Sequence, residues 1–421
     1  LFNGEFPYKD WTNKVETPGY GREMVSRSYD REKWERARKA SEEALALAMS
    51  AGNRELYNDN NYADVQKIDL PYVPVEGASD DFKKAVLRMR NVMTALETDG
   101  NHEWIWSVTN YQISHNTNYR HRVVRNPVPA DPKILPNGFT TAYCACGATL
   151  GTVERFLTVN GLQPGNDPDF APESEWFKSA GLKDENGALR SHIINLNVNR
   201  EPRFYAWLSF DGGDYGTLMY NGERPVHVNM LSSTEQGIDP SKAPRDYCAT
   251  GFPMQKWIHP QSHITTAGKE NYYVSTGIVP LIRLAELYLN LAECNAELGN
   301  TQQALDNINI IRRRAGATEL TAAMVNNSGK SLVEWARDER SIELFDEMHR
   351  FFDVRRWCKG DLLGNGTRKG LNTHDANPSF EQFNTVIDAK YPYVWADRMY
   401  LYPIDDKELY SNPQFVQSPG Y

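Results

Sequence analysis

The chain has 421 residues, of which 40% are hydrophobic and 24% charged, and a formal net charge of −9 at neutral pH, proportions ordinary for a globular protein. This acidic balance, with no basic stripe beyond Arg120-His121-Arg122 and Arg125, argues against a nucleic-acid partner. No run of about 18 apolar residues predicts a membrane-spanning helix, and the opening Leu1-Phe2-Asn3-Gly4 carries neither Met nor a targeting pattern, so a truncated or processed chain is expected. Length would allow two or three domains. No Pro/Gly/Ser linker divides the chain, however, and one large irregular domain over 1–421 is expected. The cysteines at 144, 146, 248, 294 and 358 lack the spacing of a zinc or redox site, and Cys294 and Cys358, within helical patterns, are expected as small core residues.

In chain order, residues 1–102 read as helical. Over 29–51, Asp30 stands as N-cap before Trp34, Ala37, Ala40, Ala44, Leu47 and Ala48, and Gly52 closes the run. Over 80–96, Asp80 and Asp81 lead into Phe82, Val86, Met89 and Met93. Residues 103–278 are richer in loops and short strands. The alternating runs Glu103–Val108 and Arg203–Leu208 predict strands, Ala148–Thr158 predicts a helix, and long Pro- and Gly-containing connections lie between. Helices return over 279–421. Leu281–Leu298 ends at Gly299, a second helix over 304–315 ends at Gly316, and further helices are expected at 331–348 and 349–358. The Gly-turned pair is tetratricopeptide-like, a hairpin that buries its apolar face only by stacking on neighbours.

The residues of these helices resemble known motifs. Ile282-Arg283-Leu284-Ala285-Glu286-Leu287-Tyr288-Leu289 through Ala292-Glu293-Cys294 is followed by Ala304-Leu305, Ile308-Asn309, Arg312 and Arg314-Ala315-Gly316. Next come Glu339-Arg340, Glu343-Leu344, Glu347, Arg350, Asp353 and Arg356-Trp357, and then Leu401-Tyr402-Pro403-Ile404, Asn412-Pro413 and Gln417-Ser418-Pro419-Gly420-Tyr421. Upstream, Thr152-Val153-Glu154 and Arg200-Glu201-Pro202-Arg203-Phe204-Tyr205 add two more landmarks. In this order over 148–421 they resemble the SusD/RagB family of nutrient-binding outer-membrane lipoproteins, with looser agreement over 1–147. The resemblance implies a mainly α, α+β-decorated fold: a curved stack of tetratricopeptide-like hairpins carrying long loops and short strands. It implies lipid anchoring on the extracellular face of the outer membrane through an N-terminal segment missing from this chain. It also implies partnership with a SusC-like TonB-dependent transporter.

Catalysis is weighed and set aside. Glu339 and Glu343, four apart on one helix, could be an acid/base pair for glycoside hydrolysis. Arginines at neighbouring turns would instead depress their pKa values and lock the helix through ion pairs. No GxSxG, HExxH, P-loop or GxGxxG occurs, and Pro260 separates His259 from His263 as potential metal ligands. No cofactor is expected. Residues 160–169 fall short of a calcium loop, and a structural calcium stays open.

Sugar rings present a C–H face that stacks on Trp or Tyr, and a hydroxyl rim that bonds to Asn, His and Arg. Residues 104–121 supply both kinds. Trp104 and Trp106 are expected on one strand face, followed by Tyr111, His115, Asn118, Tyr119 and Arg120 on a polar loop. A second set is Trp207, Tyr215 and Tyr220, and a third is Trp257 with Tyr272 and Tyr273. Core packing competes at Trp104 and Trp106, and Trp335 and Trp357 are expected in the core. The candidate ligand residues are Trp106, Tyr111, His115, Asn118, Tyr119, Arg120, Trp257 and Tyr273. The expected role is non-catalytic capture of oligosaccharide or polysaccharide for uptake. The alternatives are a peptide ligand, as in the RagB branch, and a protein-interaction scaffold.

Overall fold

The computed structural model describes residues 28–58, 70–108, 146–183, 190–219, 224–233, 235–238, 247–258, 263–264, 271–272, 279–364, 366–389, 392–418 and 420–421, with backbone alone at 216–219, 224–226, 263–264 and 271–272. Helix α1 (Arg31–Ser50) begins where the Asp30 carboxylate accepts from Glu32 N at 2.9 Å. Helix α2 (Asp80–Asn91) is capped by Ser79, with acids in its first turn and Arg88 and Arg90 in its last, both suited to the helix dipole. It stops five residues short of the expected end. The Val92 carbonyl is taken by the Asn101 amide at 3.1 Å and the Trp104 indole at 3.1 Å, and the Ala95 carbonyl by Asn101 at 3.0 Å.

Strand β1 (Trp104–Val108) follows, then a helix α3 (Leu150–Val153) much shorter than its pattern. The cause is a pair of charged side chains from residues 200–201. Arg200 binds the carbonyls of Val153 and Phe156 at 2.6 and 2.7 Å, and the Glu201 carboxylate takes Leu157 N at 3.0 Å. The run read as a strand at 203–208 is instead helix α4 (Pro202–Trp207). Pro202 at its first position presets the helical φ, and a short apolar run does not distinguish strand from buried helix by periodicity. Strands β2 (Asp214–Met219), β3 (Arg224–His227), β4 (His263–Ile264) and β5 (Asn271–Tyr272) form one small sheet in the order β3-β2-β4-β5.

Strand β6 (Val279–Arg283) pairs antiparallel with β1, which delays helix α5 (Leu284–Leu298) by three residues relative to its apolar pattern. Helix α6 (Thr301–Ala315) turns back after Gly299-Asn300. The helices that follow are α7 (Ala322–Asn327), α8 (Leu332–Glu343) and α9 (His349–Arg356). Helix α8 opens on a capping box, Ser331 with Glu334, and stops at Glu343 because Asp346 and Met348 take left-handed φ values of 58° and 66°. Strand β7 (Lys369–Leu371), helix α10 (Phe380–Phe383), strand β8 (Val386–Asp388) and helix α11 (Asp406–Ser411) complete the chain. Helix α5 packs on α1, α6 and α8, giving the expected stack of helical hairpins.

The main core joins α2, α3, α4, the segment around Ile193–Leu196 and the inward sides of α6 and α8, with Trp335 inside it. Trp357 is buried as expected and so is Cys294, whose thiol burial pushes up to about 12. Cys358 corrects its expectation: it lies past the end of α9 at φ 53°, only half-buried.

Gly316 ends α6 at φ 70°, and a Cβ there would lie 2.6 Å from the Ala85 Cβ on α2. Gly299 has φ 80° and open space around it. Gly299→Ala should therefore cost about 1–2 kcal/mol of left-handed strain. Gly316→Ala should cost about 1–3 kcal/mol more from the forced contact. Urea denaturation of the two variants measures the difference.

Candidate functional site

A connected set of buried charges joins α4, β6, α6 and α8. Arg203 on α4 donates through Nη1 to Glu339 at 2.6 Å and Glu343 at 3.1 Å, and through Nε to Glu201 at 2.8 Å. Arg312 on α6 closes the other side of Glu339 at 2.8 Å. Arg283, the last residue of β6, donates to Glu103 at 2.6 Å, to Glu343 at 2.8 Å and to Glu347 through Nε and Nη2, both at 2.8 Å. Arg314 bridges Glu103 and Glu343. Lys256 reaches the carbonyls of Glu343 and Phe345 at 2.8 Å each, and the Glu347 carboxylate. Cations and carboxylates balance within this group, and almost all of it is buried.

The electrostatics follow from that balance. Burial alone would raise the Glu343 carboxyl, but Arg314, Arg283, Arg203 and Lys256 outweigh it and hold it down at about 2. Burial is likewise overcome at Glu347, held at about 2 by Arg283 and Lys256, and at Glu339, lowered by Arg203 and Arg312. Glu201 goes the other way: burial raises it despite Arg203. Burial lowers Lys256 to about 8, with Glu347 pulling it back up. A second cluster anchors α9 to α5. Glu293 takes both Arg356 Nη groups at 3.0 and 2.6 Å and the Trp357 indole at 2.6 Å, while Asp353 bonds Arg340 at 2.8 Å and Arg356 at 2.7 Å. Burial at Glu293 is overridden by Arg356, Arg337 and Arg340, leaving it at about 2. Glu339 and Glu343 are thus ionised and enclosed by guanidinium groups, which suits neither proton donation nor access to substrate.

The network also anchors the segments that carry candidate ligand residues. Glu103 immediately precedes β1, and Arg283 ends the strand paired with it. On β1 the expectation of a shared tryptophan face fails. Trp104 pairs with Arg283 and Trp106 with Ile282, so two steps along β1 match one along β6. This bulge turns the rings apart: Trp104 is 6% exposed and Trp106 61%. Lys256 immediately precedes Trp257, whose half-buried ring packs on the core and whose indole donates to the Asp346 carbonyl at 3.0 Å. Trp207 and Tyr215, from the second aromatic set, are fully buried, with Lys256 Nζ 3.8 Å above the Trp207 ring, and are core residues rather than a ligand platform. Tyr111, His115, Asn118, Tyr119, Arg120 and Tyr273 lie outside the described residues, as does Tyr220. At the candidate calcium loop, the Asp167 carboxylate takes Thr158 Oγ1 at 2.5 Å, the Asn160 amide at 3.2 Å and Asp169 N at 3.0 Å. Among the described residues no group of three or more His, Cys, Asp or Glu stands together as a metal site.

Glu103 and Lys256 are the positioning residues that sequence reasoning missed. The only signal available for either was its place directly before an aromatic residue singled out on other grounds.

The structure of BT4246 is similar over 100% of this chain, with a TM-score of 0.88 and 45% identity, and the chain covers 68% of it. A SusD-like protein of Bacteroides fragilis NCTC 9343, BF3747, has a TM-score of 0.57 at 21% identity over 92% of this chain and 62% of its own, a likeness of fold. The SusD-like protein P25 of Formosa agariphila is 39% identical over 77 residues, 18% of this chain, and the matched stretch spans 15% of that protein's length. The SusD family model matches residues 102–421. The chain belongs to the SusD family. Members of that family are generally non-catalytic, carbohydrate-binding proteins. The SusD match begins one residue before Glu103, so it takes in every carboxylate and cation of the central network. Among the described residues no helix is long and apolar enough to cross a membrane.

Replacing Glu343 by Gln leaves Arg283 and Arg314 buried in excess of their partners and should cost about 3–5 kcal/mol, read by urea denaturation at neutral pH. Acid should also act through these groups. Folded-state values of about 2 for Glu293, Glu343 and Glu347 lie below the roughly 4.3 of an unfolded Glu. Their stabilisation is therefore complete above the unfolded value and is lost as pH falls toward 2. Thermal melts should show Tm falling steeply below about pH 5, and a flat profile there would contradict the network.

Proposed function

We propose that this protein captures oligosaccharide or polysaccharide at the cell surface, without transforming it, and delivers it to a SusC-like TonB-dependent transporter in the outer membrane. The observation that carries this reading is the contrast between its carboxylates and its aromatic ring on β1. The motif glutamates are sealed into ion pairs and held ionised. Trp106 stands outward on a strand pinned at its start by the same ion pairs. A rigid backing under an exposed indole suits stacking against the C–H face of a sugar, since little order is lost on binding. Tyr111, His115, Asn118, Tyr119 and Arg120 follow β1 in the sequence and would supply the polar contacts to the hydroxyl rim. Tyr273 is proposed as a further ring at the site. Trp257 is proposed as its buttress, since its indole is committed to Asp346. Family membership supports attachment at the extracellular face of the outer membrane through a lipid anchor. No cofactor is required by this role.

A glycan array followed by calorimetry on the leading hit tests the reading. Trp106→Ala should weaken the selected glycan by about tenfold, near 1.4 kcal/mol, with Tm unchanged. Trp257→Ala should instead cost about 3 kcal/mol of stability. New reducing ends released from the bound glycan would overturn the non-catalytic assignment. Capture of peptides with no glycan bound would replace the ligand class.

A further inference from the structure

Helix α9 has two unlike faces. Asp353, Arg356 and Trp357 turn inward onto Arg340 and Glu293. The opposite face presents Phe351, Phe352 and Arg355, and the C-terminal segment folds over beside it. Phe352 is 59% exposed and Tyr402 61%. Phe351 lies between them, its ring centroid 5.2 Å from Phe352 at 83° and 5.9 Å from Tyr402 at 39°. The Arg355 guanidinium sits 3.6 Å over the Phe351 ring and 5.2 Å from the Trp395 ring, and both Tyr402 and Tyr421 are near enough to act on it electrostatically.

These groups are held in place. Trp395 packs directly on Gly360 and edge-on to Tyr400, whose hydroxyl accepts from Gly360 N at 2.8 Å. The Gln417 amide clamps both backbone groups of Ile404 at 2.8 and 3.0 Å, and Ser418 Oγ donates to the Tyr402 carbonyl at 2.6 Å. The platform is therefore largely ordered before anything binds, which lowers the entropic cost of binding.

Arg355 is the arginine of α9 that stacks on these rings. Its neighbours Arg337, Arg340 and Arg356 each close on a carboxylate. Among the described residues Arg355 has no carboxylate within 4.0 Å. Its hydrogen bond runs from Nη1 to the Phe351 carbonyl of its own helix at 2.8 Å, and its buried Nε has no partner there. Arg398 resembles it, stacked at 5.3 Å on Tyr421 and bonded to the Gly420 carbonyl at 3.3 Å, with no carboxylate among the described residues. A guanidinium partly desolvated by rings attracts an anion more strongly than one in water and offers a two-pronged edge to a carboxylate. A neutral sugar would use the rings and leave this charge idle, and an acidic peptide would use the charge and leave the rings uncovered. A uronic acid joins the two, with a C–H face to stack and a carboxylate at the ring's edge.

We propose that Phe352, Tyr402 and Arg355 form a separate surface site for a carboxylate-bearing pyranose, a hexuronate unit. The site shares no residue with the platform around Trp106, so either can fail without the other.

Titration of residues 1–421 with tetragalacturonate, by calorimetry and by NMR, tests it. Saturable binding is expected, weakened at least about tenfold in Arg355→Gln and also weakened in Phe352→Ala and Tyr402→Ala. The Arg355-dependent binding should fall with added salt. Maltotetraose should not respond to Arg355→Gln. Absence of saturation at about 10 mM, or equal affinity in the wild type and Arg355→Gln, overturns the proposal. Tetraglutamate binding as tightly as tetragalacturonate overturns the saccharide class in favour of an acidic protein partner. Should Arg355→Gln fail to fold, the two exposed aromatic variants carry the same comparison.

Discussion

The architecture turns on the buried contact of Glu343 with Arg203, Arg283 and Arg314. These partners come from α4, from β6 and from α6, segments separated by more than a hundred residues at the extremes. Removing charges from water costs several kcal/mol per ion. That cost is met only when each guanidinium and carboxylate finds all its partners together. The elements must therefore assemble in one relative placement, because a shifted helix would strand a charge in the core. Hydrophobic burial drives the stack together, and the ion network selects which stack forms.

The same constraint reaches the surface. Glu103 and Arg283 fix the start of β1, and the bonds of Lys256 fix the chain just before Trp257. Lys256 also binds the carbonyls of Glu343 and Phe345, at and just past the end of α8, where a positive charge offsets the helix dipole. The left-handed turn at 346–348 is thereby tied to the segment at 256–257, and Trp257 returns the tie through the Asp346 carbonyl.

Much of the helical scaffold was legible in the sequence. Caps and left-handed glycines at Asp30, Gly299 and Gly316 marked helix ends correctly. Ordered motif residues along 148–421 pointed to the SusD family, and the arginines near Glu339 and Glu343 pointed to ion pairs. Errors fell where side chains from distant segments compete for backbone groups. Helix α3 ended early because Arg200 and Glu201 took its bonds, and α5 started late because β6 found a partner in β1. The 203–208 run became a helix because Pro202 opened it and α2 lay beside it.

At the candidate site the division is similar. The residue types for stacking were visible, but their orientations were not. A single extra residue in the β1–β6 register separates an outward Trp106 from an inward Trp104, and no local pattern records that bulge. Trp207 and Tyr215 were grouped as a second aromatic set and are core, while Phe351 and Phe352 sit within a patterned helix yet form an aromatic surface. The sequence by itself determined the helix periodicities, the capping chemistry and the family motifs, since each depends on residues within a few turns of one another. Tertiary structure alone decided which charges were paired, which rings faced water and where α2, α3 and α8 stopped. Those outcomes depend on partners far away in the chain, and the free energy of a buried charge or an exposed ring is set by what surrounds it in space.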